Sequence, residues 1–219
     1  MTTGSLEFNE LPETGRVEAF SDGVMAIAIT LLVLELHAPT ERGRFLHELA
    51  HEWGAYIAYL AAFAIIGVVW LTHHAMFRRL KSVNSPLMLL NLLYLLLTSV
   101  LPWPTSVISS AMRTGDHNDQ VVALVLFSGI SLALSVSWLG LCFFVERNPH
   151  LLKDPAAAVI VRSERRAQLA AFAPAIVAIP VAFASPVVAL LIHAVTPLVY
   201  LATLFRAEEL QRQVGRLVR

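Results

Sequence analysis

Residues 53–77 (WGAYIAYLAAFAIIGVVWLTHHAMF) contain no Asp, Glu, Lys or Arg, and neither do 82–112, 120–145 or 167–205. About 20 such residues cross a membrane's hydrocarbon core as helix, at a rise of about 1.5 Å each. A water-soluble chain cannot hide four runs of that length in one core. Composition agrees: 57% of the 219 residues are hydrophobic and 15% are charged, against about 25% charged in soluble domains. An integral membrane protein follows. Lys+Arg and Asp+Glu number 16 each, so net charge favours no nucleic-acid partner. The single cysteine, Cys142, lies in an apolar run, which excludes an intrachain disulfide and a cysteine-built zinc site. Residues 1–15 are polar and acidic without a basic start, so no cleavable signal peptide is expected.

The run 167–205 is too long for one crossing. As a single helix it reaches roughly 58 Å, about twice the core thickness, and Ser185-Pro186 is the expected break. Pro86 reads as a helix start, and Pro102 with Pro104 as its end. Pro174, Pro180 and Pro197 then sit inside membrane helices, where neighbouring helices tolerate them. The first candidate span is unusual, because only residues 23–34 are free of charge. Extending it to full length draws in Glu18, Asp22 and Glu35, which need water or polar partners at that depth.

Six spans are therefore predicted, at about 17–37, 54–77, 86–104, 120–145, 167–184 and 186–205, in one membrane domain covering 1–219. With both termini cytoplasmic, 13 basic residues fall inside and 3 outside, the latter being Arg42, Arg44 and Arg113. That split satisfies the positive-inside rule. The expectation is an all-α, multi-pass protein of the cell membrane. Residues 39–52 and 146–166 read as short interfacial helices or loops, and 206–219 as a polar cytoplasmic helix.

The densest motif is RVEAFSDGVMAIAITLLVLE, residues 16–35. At 3.6 residues per turn Ile27, Leu31 and Leu34 form one stripe, with Thr30 beside it and Glu35 a turn beyond Leu31. Arg16, Ser21 and Asp22 gather at the cytoplasmic end. On residue chemistry alone, the stripe suits ordinary helix packing, and Ser21 or Asp22 suits an N-terminal cap.

R-x-x-x-F-S-D, present as Arg16, Phe20, Ser21 and Asp22 and running on into GVMAIAITLLVLEL, resembles the signature of the transmembrane-protein-175 potassium channel family. W-x-x-H-H-x-x-F (Trp70, His73, His74, Phe77) supports it. The length and six spans resemble the one-repeat prokaryotic form. The resemblance implies a homotetramer in the lipid bilayer, with first helices around a central pore that passes potassium ions without any cofactor. It also implies apolar rings of Ile27, Leu31 and Leu34 at the constriction, a polar layer at Thr30, and an R-x-x-x-F-S-D lock onto the second and third helices through Trp70, a histidine of the pair and Asn91. No T-V-G-Y-G string is present, so selection falls to a narrow apolar neck that ions pass only after losing water. A proton-permeable cation leak is the nearest alternative, since animal relatives conduct protons as well.

Other residues test this channel reading. His73 and His74 point about 100° apart on a helix, which disfavours one shared metal. Asn91, alone in LLNLLYLLL, reads as a bridge between helices, and His193 in LLIHAVTP as a bonded packing residue. Trp53, Tyr56 and Trp103 read as interfacial anchors. A rival lies at 47–51, where H-E-L-A-H matches the H-E-x-x-H zinc metalloprotease pattern, with His47 and His51 as ligands and Glu48 as general base. Asp116, His117 and Asp119 are third-ligand candidates on the same side. The competing interpretation of 47–51 is a solvated interfacial helix.

Overall fold

The computed structural model describes residues 14–217, with side chains described throughout except at 170, 171 and 203–217. The basic side chains assigned from sequence to the cytoplasmic tail (Arg206, Arg212, Arg216, Arg219) therefore lie outside the described ones. Among the described residues eight α-helices follow one another: α1 (Thr14–Leu31), α2 (Phe45–His51), α3 (Trp53–Phe77), α4 (Ser85–Val100), α5 (Pro102–Thr114), α6 (His117–Arg147), α7 (Ala158–Ala184) and α8 (Pro186–Leu217). Five helical segments are long and apolar enough to cross a membrane: Thr14–Glu35, Trp53–Phe77, Ser85–Thr114, His117–Arg147 and Pro155–Ala184. Among the described residues Pro186–Ala202 is a further, shorter apolar helix, at the position expected for the sixth span. The chain is an all-α, multi-pass membrane protein.

Local chemistry sets the helix ends. Asn84 caps α4 by accepting the Leu87 N–H at 3.1 Å, and Asp116 caps α6 by accepting the Asp119 N–H at 3.0 Å. Each satisfies a donor that the first turn leaves free. Gly115 closes α5 at φ 72°, a left-handed conformation that glycine enters without a Cβ penalty. Ser185 is extended between α7 and α8, so the break expected at Ser185-Pro186 is present. Pro174 and Pro180 lie within α7 and Pro197 within α8.

Pro102 and Pro104 do not end the third span as the sequence suggested. Pro102 occupies the first turn of α5, where no N–H is needed, and helical structure continues to Thr114. Likewise α7 starts at Ala158, well before 167, so Arg162, Glu164, Arg165 and Arg166 ride on its first turns. Charges end an apolar run; they do not end a helix that projects beyond the hydrocarbon.

Helix α1 packs on α3 and α4, α3 on α5 and α8, and α6 on α4, α5 and α7. Small side chains allow close approach: Ala58, Ala61 and Ala62 of α3 and Ala28 of α1 are buried. Beyond the end of α3 that leads into α4, the Lys81 N–H donates to the Leu151 carbonyl at 2.9 Å and the Lys153 N–H to the Arg79 carbonyl at 2.8 Å, forming a short clasp around an antiparallel bridge between Leu80 and Leu152. Arg79 pairs with Glu164 at 2.7 Å, while Glu146 holds both Arg162 and Arg165 at 2.7 and 2.9 Å.

At the other end of α3, a Cβ built on Gly54 would meet Met112 Cβ at 2.7 Å and Cγ at 2.8 Å. Those atoms lie next to the backbone and cannot swing aside. Gly54→Ala is expected to cost about 1–3 kcal/mol through overpacking, read as a lowered midpoint of thermal unfolding in detergent. Gly140→Ala, whose nearest neighbour is Leu90 at 4.0 Å, is expected to leave that midpoint unchanged or raise it slightly.

Candidate pore helix and its polar lock

Three helices meet at a buried chain of hydrogen bonds. His73 of α3, Asn91 of α4 and Ser21 of α1 are each about 1% exposed or less. Asn91 Nδ2 donates to Ser21 Oγ at 3.0 Å, and Asn91 Oδ1 meets His73 Nε2 at 2.8 Å. Because Oδ1 only accepts, His73 Nε2 carries the hydrogen. Ser21 Oγ passes its own hydrogen to the Val17 carbonyl at 2.8 Å. Every donor in the chain points the same way, so the asparagine is satisfied on both sides. Unpaired, these groups would be costly away from water.

A second bond fastens α1 from the neighbouring flank. Trp70 Nε1 donates to Asp22 Oδ1 at 3.0 Å, and the indole lies against the His74 ring, centroids 5.6 Å apart. The two adjacent histidines thus do different work: His73 bonds Asn91 and stacks on Phe77 at 4.1 Å, while His74 braces Trp70. Of the motif residues named from sequence, the structure brings together Ser21, Asp22, Trp70, His73, His74 and Asn91. Arg16 and Phe20 stand apart on the exposed side of α1. Sequence reasoning missed Tyr94, which stacks on His73 at 6.3 Å and meets Trp138 at a tilt with centroids 5.0 Å apart. The available signal was its position one helical turn after Asn91.

The opposite character of α1 is as clear. Ser21, Met25, Ala28 and Leu32 are buried, whereas Ile27, Leu31 and Leu34 are 62%, 41% and 72% exposed. Thr30 is exposed beside them, its hydroxyl turned back to the Ile27 carbonyl at 2.9 Å. The helix tightens to a 3-10 turn over Leu32–Glu35. Side chains three apart eclipse in that geometry, so Leu34 stands above Leu31. Glu35 is turned about 120° off the stripe instead of lying one α-turn above Leu31. Its carbonyl accepts from Ser109 Oγ at 3.4 Å, which ties the end of α1 to α5.

The H-E-L-A-H segment forms the exposed helix α2. Glu48 Oε2 and Oε1 accept the N–H groups of Thr40 and Glu41, both at 2.9 Å, so the carboxylate is a loop anchor and not a general base. Asp116 is spent on the α6 cap, and His117 Nε2 donates to the Phe183 carbonyl at 3.2 Å. Among the described residues no group of three or more His, Cys, Asp and Glu is placed to hold a metal ion. The protease reading of this segment does not stand.

Residues 16–102 match the family described as the endosomal/lysosomal potassium channel TMEM175. The chain is 37% identical over 155 residues to a potassium channel of Streptomyces collinus, an alignment covering 70% of this chain and 74% of that protein. The chain belongs to the TMEM175 family. A TMEM175 homolog from Chamaesiphon minutus, described as a lysosomal potassium-selective channel, superposes with a TM-score of 0.75 at 29% identity, over 87% of this chain and 97% of the other. The endosomal/lysosomal proton channel of Gallus gallus is 34% identical over 58% of this chain and only 28% of that longer protein. These relatives are ion channels, not enzymes. The matched stretch 16–102 carries the whole lock, from Ser21 to Asn91.

Asn91→Leu keeps the branching of the side chain but strands the His73 N–H. It is expected to destabilise the protein by about 1–2 kcal/mol, seen as a lower melting temperature in detergent. Ser99→Ala, on the exposed side of the same helix, is expected to melt like the parent.

Proposed function

We propose that the protein is a potassium-selective channel of the cell membrane, built from four copies with α1 innermost around a central pore. The observation that carries this reading is the uncovered stripe of Ile27, Leu31 and Leu34 on a helix whose other flank is fastened by polar bonds. A helix facing lipid wants an apolar length near 30 Å, and residues 23–34 supply about 18 Å. Its remaining surface therefore suits partner subunits and water. The names of the bacterial relatives supply the ion.

In this arrangement each layer of the stripe contributes four apolar side chains. None of them can replace an ion's hydration shell, so the neck passes only ions that shed water readily and closes by dewetting. Ile27 forms the narrowest ring, Leu31 and Leu34 widen toward the outside, and Thr30 adds a polar layer between them. Glu35, half-exposed at the outer end, supplies negative charge at the mouth. No cofactor takes part; the permeant potassium ion is the only ligand. Arg16 and Phe20 face the neighbouring subunit, which accounts for their exposure in a single chain.

Purified protein in liposomes is the test. Potassium efflux exceeding sodium efflux, with a mass of four chains in native mass spectrometry, is the expected result. Ile27→Asn holds water in the neck and is expected to raise total cation flux and lower the preference for potassium. Ile29→Asn, about 160° around the helix and packed against the core, is expected to reduce folded yield. Unchanged flux and selectivity in Ile27→Asn would remove α1 from the conduction path, and efflux of protons without potassium would favour the proton-leak reading. Glu35→Gln is expected to lower conductance in dilute salt and match the parent in concentrated salt, because salt screens a charged mouth; an equal loss at every salt level would assign Glu35 a packing role.

A further inference from the structure

The channel reading leaves His47 and His51 unexplained. They sit one turn apart on α2, both exposed, their rings stacked with centroids 5.2 Å apart. Their flank is set by the rest of the helix. Phe45, Leu46 and Leu49 form an exposed apolar stripe, continued by the exposed Trp53 at the start of α3, the face that an interfacial helix lays into the membrane boundary. On a helical projection the two histidines lie nearly opposite that stripe, toward water. Glu48 and Glu52 occupy the flank between, both half-buried, with Glu52 paired to Arg113 at 3.6 Å.

We propose that His47 and His51 form a two-imidazole chelating site for a borderline transition-metal ion such as Zn2+ on the outer, water-facing flank of α2. Two imidazoles bound through Nε2 to one tetrahedral ion, with metal–nitrogen distances of about 2.0–2.1 Å, have ring centroids about 5 Å apart. The observed separation already meets that requirement. Only the ring planes, now nearly parallel, must turn to aim their nitrogens at a common point, and the χ2 torsion of histidine is soft. Imidazole nitrogen selects zinc, nickel and copper over calcium or magnesium, which prefer oxygen. Water completes the coordination, as the site is open to solvent.

The site also has a structural reason to bind. A helix of seven residues is marginal by itself, and a metal bridging positions four apart staples one of its turns. Glu48 holds the first turn of α2 to Thr40 and Glu41, in the loop that leaves the outer end of α1. A bound dication would thus sit on the segment joining the outer end of α1 to α3, and it would add positive charge to an outer side that the sequence makes net negative.

The test uses the full chain, free of any polyhistidine tag, in detergent micelles, with Zn2+ titrated against a chromophoric chelator. Saturable binding is expected, weakened about tenfold or more in His47→Ala and equally in His51→Ala, while Glu48→Gln binds like the parent. Both histidines are exposed, so the variants keep their fold. Equal Zn2+ affinity in the parent and the two histidine variants would overturn the site. A loss in Glu48→Gln as large as theirs would overturn the two-imidazole ligand set.

Discussion

Asn91 donates to one neighbouring helix and accepts from another, whereas the hydroxyls of Thr98 and Ser99 turn back to carbonyls of their own helix. In a membrane, where water is not available to relieve an unmade bond, that property fixes geometry more firmly than it adds stability. The amide of Asn91 has to meet Ser21 on one side and His73 on the other. This sets the rotation of α1 about its own axis and its depth against α3 and α4. Trp70 and Asp22 repeat the constraint on a second flank. Two bonds on different flanks leave a helix no freedom to roll. The consequence appears on the far surface, where Ile27, Leu31 and Leu34 are held facing outward in register. An apolar stripe on a freely rotating helix would define no pore.

The apolar neck proposed for this channel would require that rigidity. Carbonyl-lined filters select ions by replacing hydration with oxygen, and small movements can be absorbed by the ligands. A ring of isoleucine or leucine offers no ligand, so discrimination rests on the width of the opening and the energy of shedding water. A shift comparable to a methyl group changes both. In the proposed channel the polar lock and the apolar stripe form one device, the first fixing the aperture that the second defines.

Much of this was legible in the sequence, and the reasons are physical. Charge-free runs mark spans because the bilayer penalises charge, and the break at Ser185-Pro186 follows from backbone restriction alone. Asn91 was identifiable as a bridge because it is a polar exception in an apolar helix, but the lock as a set came from the family resemblance. Residue chemistry alone suggested Ser21 or Asp22 as an N-terminal cap, whereas α1 already runs from Thr14 and both lie inside it. The pairing within the lock was not legible, because which nitrogen meets which oxygen depends on helix rotation that no spacing encodes. Pro102 misled because proline is as acceptable in a first turn as it is damaging in an interior. The 3-10 turn at Leu32–Glu35 was invisible for a related reason: helical periodicity assumes 100° per residue, and a tightened turn moves Glu35 off its expected line. H-E-L-A-H shows the converse, a short pattern that matches a motif while its glutamate serves the neighbouring loop. The ring contacts of Tyr94 with His73 and Trp138 join residues far apart in the chain, beyond the reach of any local rule.

The central claim is that one face of α1 lines the conduction path. Single cysteines read this directly, in a Cys142→Ala background that removes the one native thiol. Silver ions, which enter cation pathways and bind thiolates, would be added to proteoliposomes during potassium efflux. Leu31→Cys is predicted to be blocked, with block slowed by high external potassium, while Val33→Cys, also exposed in a single chain but turned about 120° off the stripe, continues to conduct. Block at Val33→Cys with conduction spared at Leu31→Cys would contradict the account and place the pore on the other side of the helix.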